Sequence, residues 1–391
     1  VLIYTNTPTP ILLNQLTELR MMSKAWAEKN KVTQPQDYVK KEETYAARNA
    51  NGTGPYVLKS REVDVKTVFV ENPNWWGKPT KKGNVTEVIY TPIKSNATRT
   101  AALLSGELDF VLDPATQDID RLKSAAETKV VEGAENRTIF IGMDQLRDES
   151  PYVEVKGKNP LKDLRVRQAL YHAIDIEAIK RAVMRGSSSP TGAIIAPQVR
   201  GWSKEVDTRL KYDPELAKKL LAEAGYPNGF SFTLDCPNNR YINDENICKA
   251  LAAMWARVGL KVNVNAMPRA TYFPKIQKYD TSVYLLGWGV PTFDALYSLQ
   301  SLAMTVGKDG DGNFNLGRVS NAEYDKLVEG IKQEVDPAKR NAMITKALQI
   351  HNAQVMHVPL HNQVIPWAMR KNVDVVHRAD NRLEASWVKI N

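Results

Sequence analysis

The chain holds five histidines, two cysteines and 44 acidic side chains, the groups that transfer protons, attack carbonyls or bind metals. None of them stands in a spacing that a recognised chemistry requires. Arg185-Gly-Ser-Ser-Ser-Pro-Thr-Gly192 offers hydroxyls, but no Gly-x-Ser-x-Gly elbow aims one as a nucleophile, so it reads as a solvated loop. Asn51-Gly-Thr-Gly-Pro-Tyr56 lacks the Gly-Lys-Ser/Thr ending of a phosphate loop and no helix follows it; it is a tight loop feeding a strand. His357 and His361 are four apart with Pro359 between them. On a strand they share a side without the helical spacing of a metal pair, which points to packed or hydrogen-bonded imidazoles. Cys236 and Cys248 match no zinc pattern and have no second pair to complete four ligands. They pair in an oxidising compartment and stay as buried thiols in a reducing one. The carboxylates form no catalytic grouping, which leaves a hydrolase with an Asp/Glu pair or a Ser–His couple as a weak alternative.

The 391 residues suffice for two or three domains. With 43% hydrophobic and 25% charged residues, the composition is that of a soluble globular protein. No apolar run reaches the roughly 18 residues of a membrane helix. The net charge of +9 is spread along the chain without a nucleic-acid motif, so it describes a basic solvated surface. The first residue is Val1 and no signal-peptide pattern precedes it. A processed chain or a fragment is expected.

Strand and helix patterns alternate along the chain. Val1 to Thr5 reads as a strand, Ile11 to Leu19 as a short helix, and Gln36 to Glu43 as another. Strands are expected at Tyr56 to Lys59, Val65 to Val70, Val85 to Thr91 and Leu108 to Leu112, with a helix over Asn96 to Ser105 stopped by Gly106. A helix over Ala115 to Ala126 leads to a short strand at Val130-Val131 and another at Thr138 to Met143. Tyr212 to Pro227 holds a punctuated helix: Asp213 caps it, Pro214 opens it and Gly225 ends it. Phe230 to Leu234 is a strand, and a helix from Asp244 to Val258 follows. Lys261 to Asn265 and Ser282 to Leu286 are strands. Ser320 and Glu323 form a capping box, Asp336-Pro337 opens a helix to about Gln354, and Val355 to Leu360 is a strand. Val373 to Val376 and Glu384 to Ile390 close the chain with strand-like pieces. This alternation predicts an α/β layer architecture.

One stretch is distinctive in order as well as pattern. In Leu161-Lys-Asp-Leu-Arg-Val-Arg-Gln-Ala-Leu-Tyr-His-Ala-Ile-Asp175, Val166, Ala169, Leu170, Ala173 and Ile174 recur at helical spacing, so physics alone makes it a buried scaffold helix. Its order resembles a signature of the large solute-binding proteins that serve dipeptide, oligopeptide and nickel ABC importers. Four further blocks resemble that family in the same sequence order. They are Gly52-Thr-Gly-Pro-Tyr56 with Asn72-Pro-Asn-Trp-Trp-Gly77, Arg99 to Asp109, Tyr212 to Pro227, and Val258-Gly-Leu-Lys-Val262 with Gly287-Trp288.

The resemblance implies an α/β, two-lobed periplasmic binding protein fold (type II, large class with an extra subdomain), its lobes joined by two hinge strands. One lobe would be residues 1–142 plus 360–391, with the N-terminal β-rich subdomain missing, and the other 143–359. The crossings would lie near Ile139 to Met143 and Val355 to Leu360. It further implies an exported, periplasmic receptor with a Cys236–Cys248 disulfide. No cofactor, metal, nucleic acid or catalysis is expected. The expected partners are a small peptide-like solute and an ABC permease in the membrane, with the full-length protein a monomer. An opine, a metal chelate or a short oligosaccharide is the alternative ligand, and a sensory or chaperone-like use of the fold is the alternative role. Trp288, after Gly287 at a strand end, is the first candidate for a ligand wall, although a core tryptophan reads the same way. Asp294 can pair with a ligand amine or cap the next helix. Tyr241, Arg269, Tyr272 and Arg318 face the same region in the family, and either arginine can hold a carboxylate in bidentate fashion. His361 lies at the second crossing. Peptide-binding relatives commonly carry an aspartate three residues after the tryptophan, where it meets the peptide amino terminus. Here that position is Pro291, so the resemblance does not carry ordinary α-amino anchoring with it.

Overall fold

The computed structural model describes residues 2–36, 43–308 and 310–391. Its strands are β1 (Tyr56–Glu62), β2 (Lys66–Glu71), β3 (Glu87–Tyr90), β4 (Phe110–Leu112), β5 (Thr128–Met143), β6 (Ser188–Pro190), β7 (Ser231–Pro237), β8 (Lys261–Met267), β9 (Val283–Gly289), β10 (Val358–Arg370), β11 (Val373–Asp374) and β12 (Lys389–Ile390). Its longer helices are α1 (Asn96–Ser105), α2 (Leu164–His172), α3 (Pro214–Glu223), α4 (Asp244–Ala256), α5 (Arg269–Gln277), α6 (Ala322–Gln333) and α7 (Pro337–Ala353). The chain divides into two compact units, Val1–Leu16 with Ala134–Ile365, and Thr17–Gly133 with Pro366–Asn391. β5 and β10 run without interruption from one unit into the other, and the boundaries expected at 142 and 360 fall inside these two strands.

The first unit is built on a mixed sheet in the order β10-β5-β9-β7-β8, with β6 on β10. β7 is parallel to β8 and β9, and β5 is antiparallel to β9. Period-two alternation sends side chains to both faces, and both are covered. Ile139, Ile141, Val283, Leu285 and Leu234 face one core with α2, α3 and α4. Phe140, Tyr284 and Leu286 face the other with α6 and α7.

The distinctive stretch is the scaffold its periodicity predicts. Asp163 caps α2, its carboxylate accepting from the Arg165 N–H at 2.9 Å. Val166, Ala169 and Leu170 are fully buried, and the Trp255 indole donates to the Leu170 carbonyl at 2.9 Å, tying α4 to α2. Arg167 is buried and donates to the carbonyls of Leu161, Lys162 and Gln354. Burial pulls its guanidinium down to about 10.

The second unit holds the antiparallel sheet β1-β2-β3, the β4–β10 pairing at Val111↔Ala368, and the β11–β12 pair. Its small core joins Leu103, Val111, Leu122 and Ala368. α1 ends at Gly106 with φ 84°, a left-handed cap that glycine adopts without a Cβ clash.

Several local expectations need correction. Residues 2–5 are not a strand: they pair with nothing in the described residues, and Leu2, Ile3 and Tyr4 are exposed. The following helix is only Leu12–Leu16. The helix expected over Gln36 to Glu43 falls outside the described residues. The two short strands at 130–131 and 138–143 are one strand of 16 residues. α6 is capped by Asn321, whose side chain accepts from the Tyr324 N–H at 3.0 Å, while Ser320 bonds Thr305 instead. The strand expected from Val355 starts at Val358, because Val355 has a φ of 43° that no strand accommodates.

Candidate functional site

In an open α/β sheet, ligands bind beyond the carboxyl ends of the parallel strands, where chain reversals leave loops and helix starts free. In the first unit that edge is set by Pro237, Met267 and Gly289, with the antiparallel β5 entering beside it, Arg137 opposite Gly289. Three arginines meet there. Arg240 lies in the loop after β7, its guanidinium 4.9 Å from the Tyr241 ring, and Arg137 stands over the same ring at 5.9 Å. Arg269 opens α5, its N–H donating to the Asn239 side chain at 2.7 Å. Arg137 is engaged: it donates to both oxygens of Glu135 at 3.0 and 3.1 Å and to the Gly287 carbonyl at 3.2 Å. Gln363 donates to the same Glu135 at 2.7 Å. The Arg240 guanidinium is half-buried with no hydrogen-bond acceptor among the described residues. Burial and then the like charge of Arg137 hold it below the ordinary arginine value, Tyr241 and the Glu135 carboxylate pull the other way, and Arg269 adds a smaller downward push. An anion placed here would offset the burial and the mutual repulsion through charge-assisted hydrogen bonds.

Tyr241 is the pivot. Its hydroxyl donates to the Gly287 carbonyl at 3.1 Å, and its ring lies against Gly287, where a Cβ would meet ring carbon at 2.6 Å and Ile139 at 2.6 Å. Gly287→Ala is therefore expected to displace the ring, change the near-ultraviolet circular dichroism of tyrosine, and cost about 1–3 kcal/mol in a urea melt.

On the opposite face of β9, Trp288 is 9% exposed, stacked on Tyr297 at 5.2 Å and tilted against Phe314 at 4.8 Å. Its indole N–H is buried with no acceptor among the described residues. Such a donor is unusual in a finished core and suits a ligand wall.

The remaining expected residues lie elsewhere. Asp294 is 1% exposed and held by both terminal nitrogens of Arg340 at 2.8 Å, while its Oδ1 accepts the Leu296 N–H at 3.0 Å. It is a buried ion pair and helix cap, which corrects its assignment as a ligand acid. Tyr272 is fully buried and donates to the Leu285 carbonyl at 2.5 Å, so it belongs to the core. Arg318 stacks on Tyr279 at 5.2 Å and lies 3.8 Å from Asp144, which follows the far end of β5. Seven residues of strand, roughly 23 Å at about 3.3 Å each, separate Asp144 from Arg137. His361 is fully buried in β10, and burial followed by the charge of Arg209 pushes it down to about 3. It is a neutral core imidazole. Cys236 and Cys248 are bonded, with Cα atoms 6.7 Å apart. Among the described residues no group of three or more His, Cys, Asp or Glu can hold a metal ion.

Sequence reasoning missed Arg137, Arg240, Glu135 and Gln363. A signal existed only for Arg240, adjacent to Tyr241; the others are polar positions whose partners the sheet register chooses.

Residues 1–310 match the family model described as bacterial extracellular solute-binding proteins, family 5, middle. The chain is similar to heme-binding protein A of Haemophilus influenzae, 27% identical over 316 residues, 80% of this chain and 54% of the relative. It is similar to di/tripeptide-binding protein 3 of Pseudomonas aeruginosa, 27% identical over 326 residues, 82% of this chain and 58% of the relative. The chain thus spans little more than half the length of these curated relatives. Among solved structures, a putative peptide binding protein of Clostridium difficile superposes with a TM-score of 0.81 over 99% of this chain and 76% of its own, at 18% identity. That likeness shows the fold, the two-lobed periplasmic binding protein class.

Proposed function

Because the chain belongs to the bacterial extracellular solute-binding proteins of family 5, we propose that it is an exported receptor that captures a peptide or peptide-like solute and delivers it to the membrane permease of an ABC importer. The observation that carries the reading is the half-buried guanidinium of Arg240 over Tyr241, unpaired beside Arg137 and Arg269 at the carboxyl edge of the sheet. Such a group accepts a carboxylate. With Pro291 in place of an acid and Asp294 taken by Arg340, this edge offers no free carboxylate to an amine at those positions. The solute is therefore read by its anionic end. Binding shifts the population toward the form the permease recognises, with β5 and β10 as the hinge strands, and no bond is made or broken.

The relative named for di- and tripeptides supports a peptide-type solute. Membership of a family of extracellular solute-binding proteins supports a periplasmic location; among the described residues no helix is long and apolar enough to cross a membrane.

Isothermal titration with a pool of free-carboxyl tripeptides tests the reading. Arg240→Ala is expected to weaken binding about 10- to 100-fold, the equivalent of about 1.5–3 kcal/mol for a charged hydrogen-bond donor. Unchanged affinity would refute the assignment of the anion site.

A further inference from the structure

We propose that the Cys236–Cys248 bridge and the Asp244 carboxylate are the positioning elements that hold Arg240 and Tyr241 where the solute meets them; the proposal rests on the reading of this edge as the ligand site. Residues 238–243 connect β7 to α4. A six-residue loop at a binding edge is ordinarily free to open locally. This one is tied along its length. The Asn238 N–H donates to the Met267 carbonyl at 3.0 Å and the Ile242 N–H to the Gln363 side chain at 3.2 Å. The Arg240 and Tyr241 N–H groups both donate to Asp244 Oδ2, at 2.9 and 3.0 Å, while Oδ1 takes the Glu245 N–H at 3.0 Å. One buried carboxylate thus fixes the backbone of both ligand-facing residues. Asn243 closes the loop in the left-handed region, φ 55°, and its side chain donates to the Val183 carbonyl at 2.8 Å.

The disulfide closes the base of the same loop. Cys236 is the next-to-last residue of β7 and Cys248 lies one turn into α4, both fully buried. Neither element needs the bridge to dock. β7 is hydrogen-bonded between β8 and β9, and α4 is anchored by Ile247, Leu251 and Trp255 in the core. What the bridge adds is a fixed distance between the two ends of the segment that carries Arg240 and Tyr241. Its effect falls on that segment more than on the fold.

The test compares the full chain with its Cys236→Ala/Cys248→Ala double variant and with Asp244→Ala. Amide hydrogen exchange is read at Arg240 and Tyr241, with Leu251 in α4 as the internal reference. Both variants are expected to exchange at least about tenfold faster at Arg240 and Tyr241 with Leu251 unchanged, and to bind the free-carboxyl tripeptide pool about tenfold more weakly. Asp244→Asn, which keeps an acceptor oxygen, is expected to recover part of both losses. Should Asp244→Ala fail to fold, the bridge variant and Asp244→Asn decide. Exchange unchanged at Arg240 and Tyr241, or faster exchange with unaltered affinity, overturns the proposal. If the unaltered chain binds nothing in the pool while the loop amides still loosen in the variants, the ligand reading fails and the loop-holding role stands.

Discussion

Asp294→Ala is expected to destabilise the protein by about 3–5 kcal/mol, a large share of the roughly 5–15 kcal/mol that holds a domain folded. Both partners of the Asp294–Arg340 pair are about 2% exposed in their side chains, and the contact is bidentate at 2.8 Å. Removing the acid leaves a guanidinium in the core whose one remaining partner among the described residues is the Ile331 carbonyl, 3.1 Å from its Nε. It also strips the Leu296 N–H of its acceptor. The cost is that of stranding a charge, so it exceeds what the pair itself contributes. The double variant Asp294→Ala/Arg340→Met should therefore recover most of the loss. Urea unfolding midpoints of the three variants check this: a single-variant shift below about 1 kcal/mol, or a double variant no better than the single, would contradict it.

The second large effect is acid sensitivity. His351, His357 and His361 are each buried. His351 and His357 are joined ring to ring at 2.9 Å and stacked at 5.2 Å, with Phe140 edge-on to His357 at 4.9 Å. Burial pushes His351 down to about 4 and His361 to about 3, and His357 is held well below the ordinary value by burial and then by His351. The unfolded chain takes up these protons near pH 6.5, and the folded chain refuses them. Stability is therefore complete above pH 6.5 and is lost as pH falls, until about pH 4 for His351 and about pH 3 for His361. His351 and His361 each cost about 1.4 kcal/mol per pH unit in that window, or about 2 kcal/mol each by pH 5, and His357 acts in the same direction. Urea unfolding at pH 7.5, 6 and 5 measures the slope. His361→Phe, which cannot titrate, should lose about 2 kcal/mol less between pH 7.5 and 5 than the unaltered chain. Equal slopes would show that His361 takes up its proton in the folded state.

The fold was legible wherever a local rule acts alone. α3 begins at Pro214 behind an Asp213 cap and stops before Gly225, as its punctuation demands. α1 ends at its glycine and α7 starts at Pro337 behind Asp336 for the same reason. Strand limits were less legible. β5 reads as two pieces because Glu132, Gly133, Glu135 and Asn136 interrupt its apolar alternation, yet pairing partners keep the strand continuous. Near residues 2–5 the opposite holds: an apolar pattern finds no partner among the described residues and forms no strand. The site shows the same limit. Trp288 and Tyr241 were visible as aromatics near strand ends. Whether an acid or an arginine is free was not, because its partner lies far along the chain: Asp294 finds Arg340 46 residues on, and Glu135 finds Gln363 228 residues on. Arg318 illustrates the converse, a suitable residue type at the wrong end of the sheet.

The most direct test of the central claim is native mass spectrometry of the purified chain with two matched tripeptide pools, one with free carboxyl termini and one C-terminally amidated. A receptor that reads its solute by an anionic end through Arg240 retains members of the free-carboxyl pool and discriminates against the amidated pool by at least about tenfold. Equal retention of both pools, or retention of neither, would contradict it.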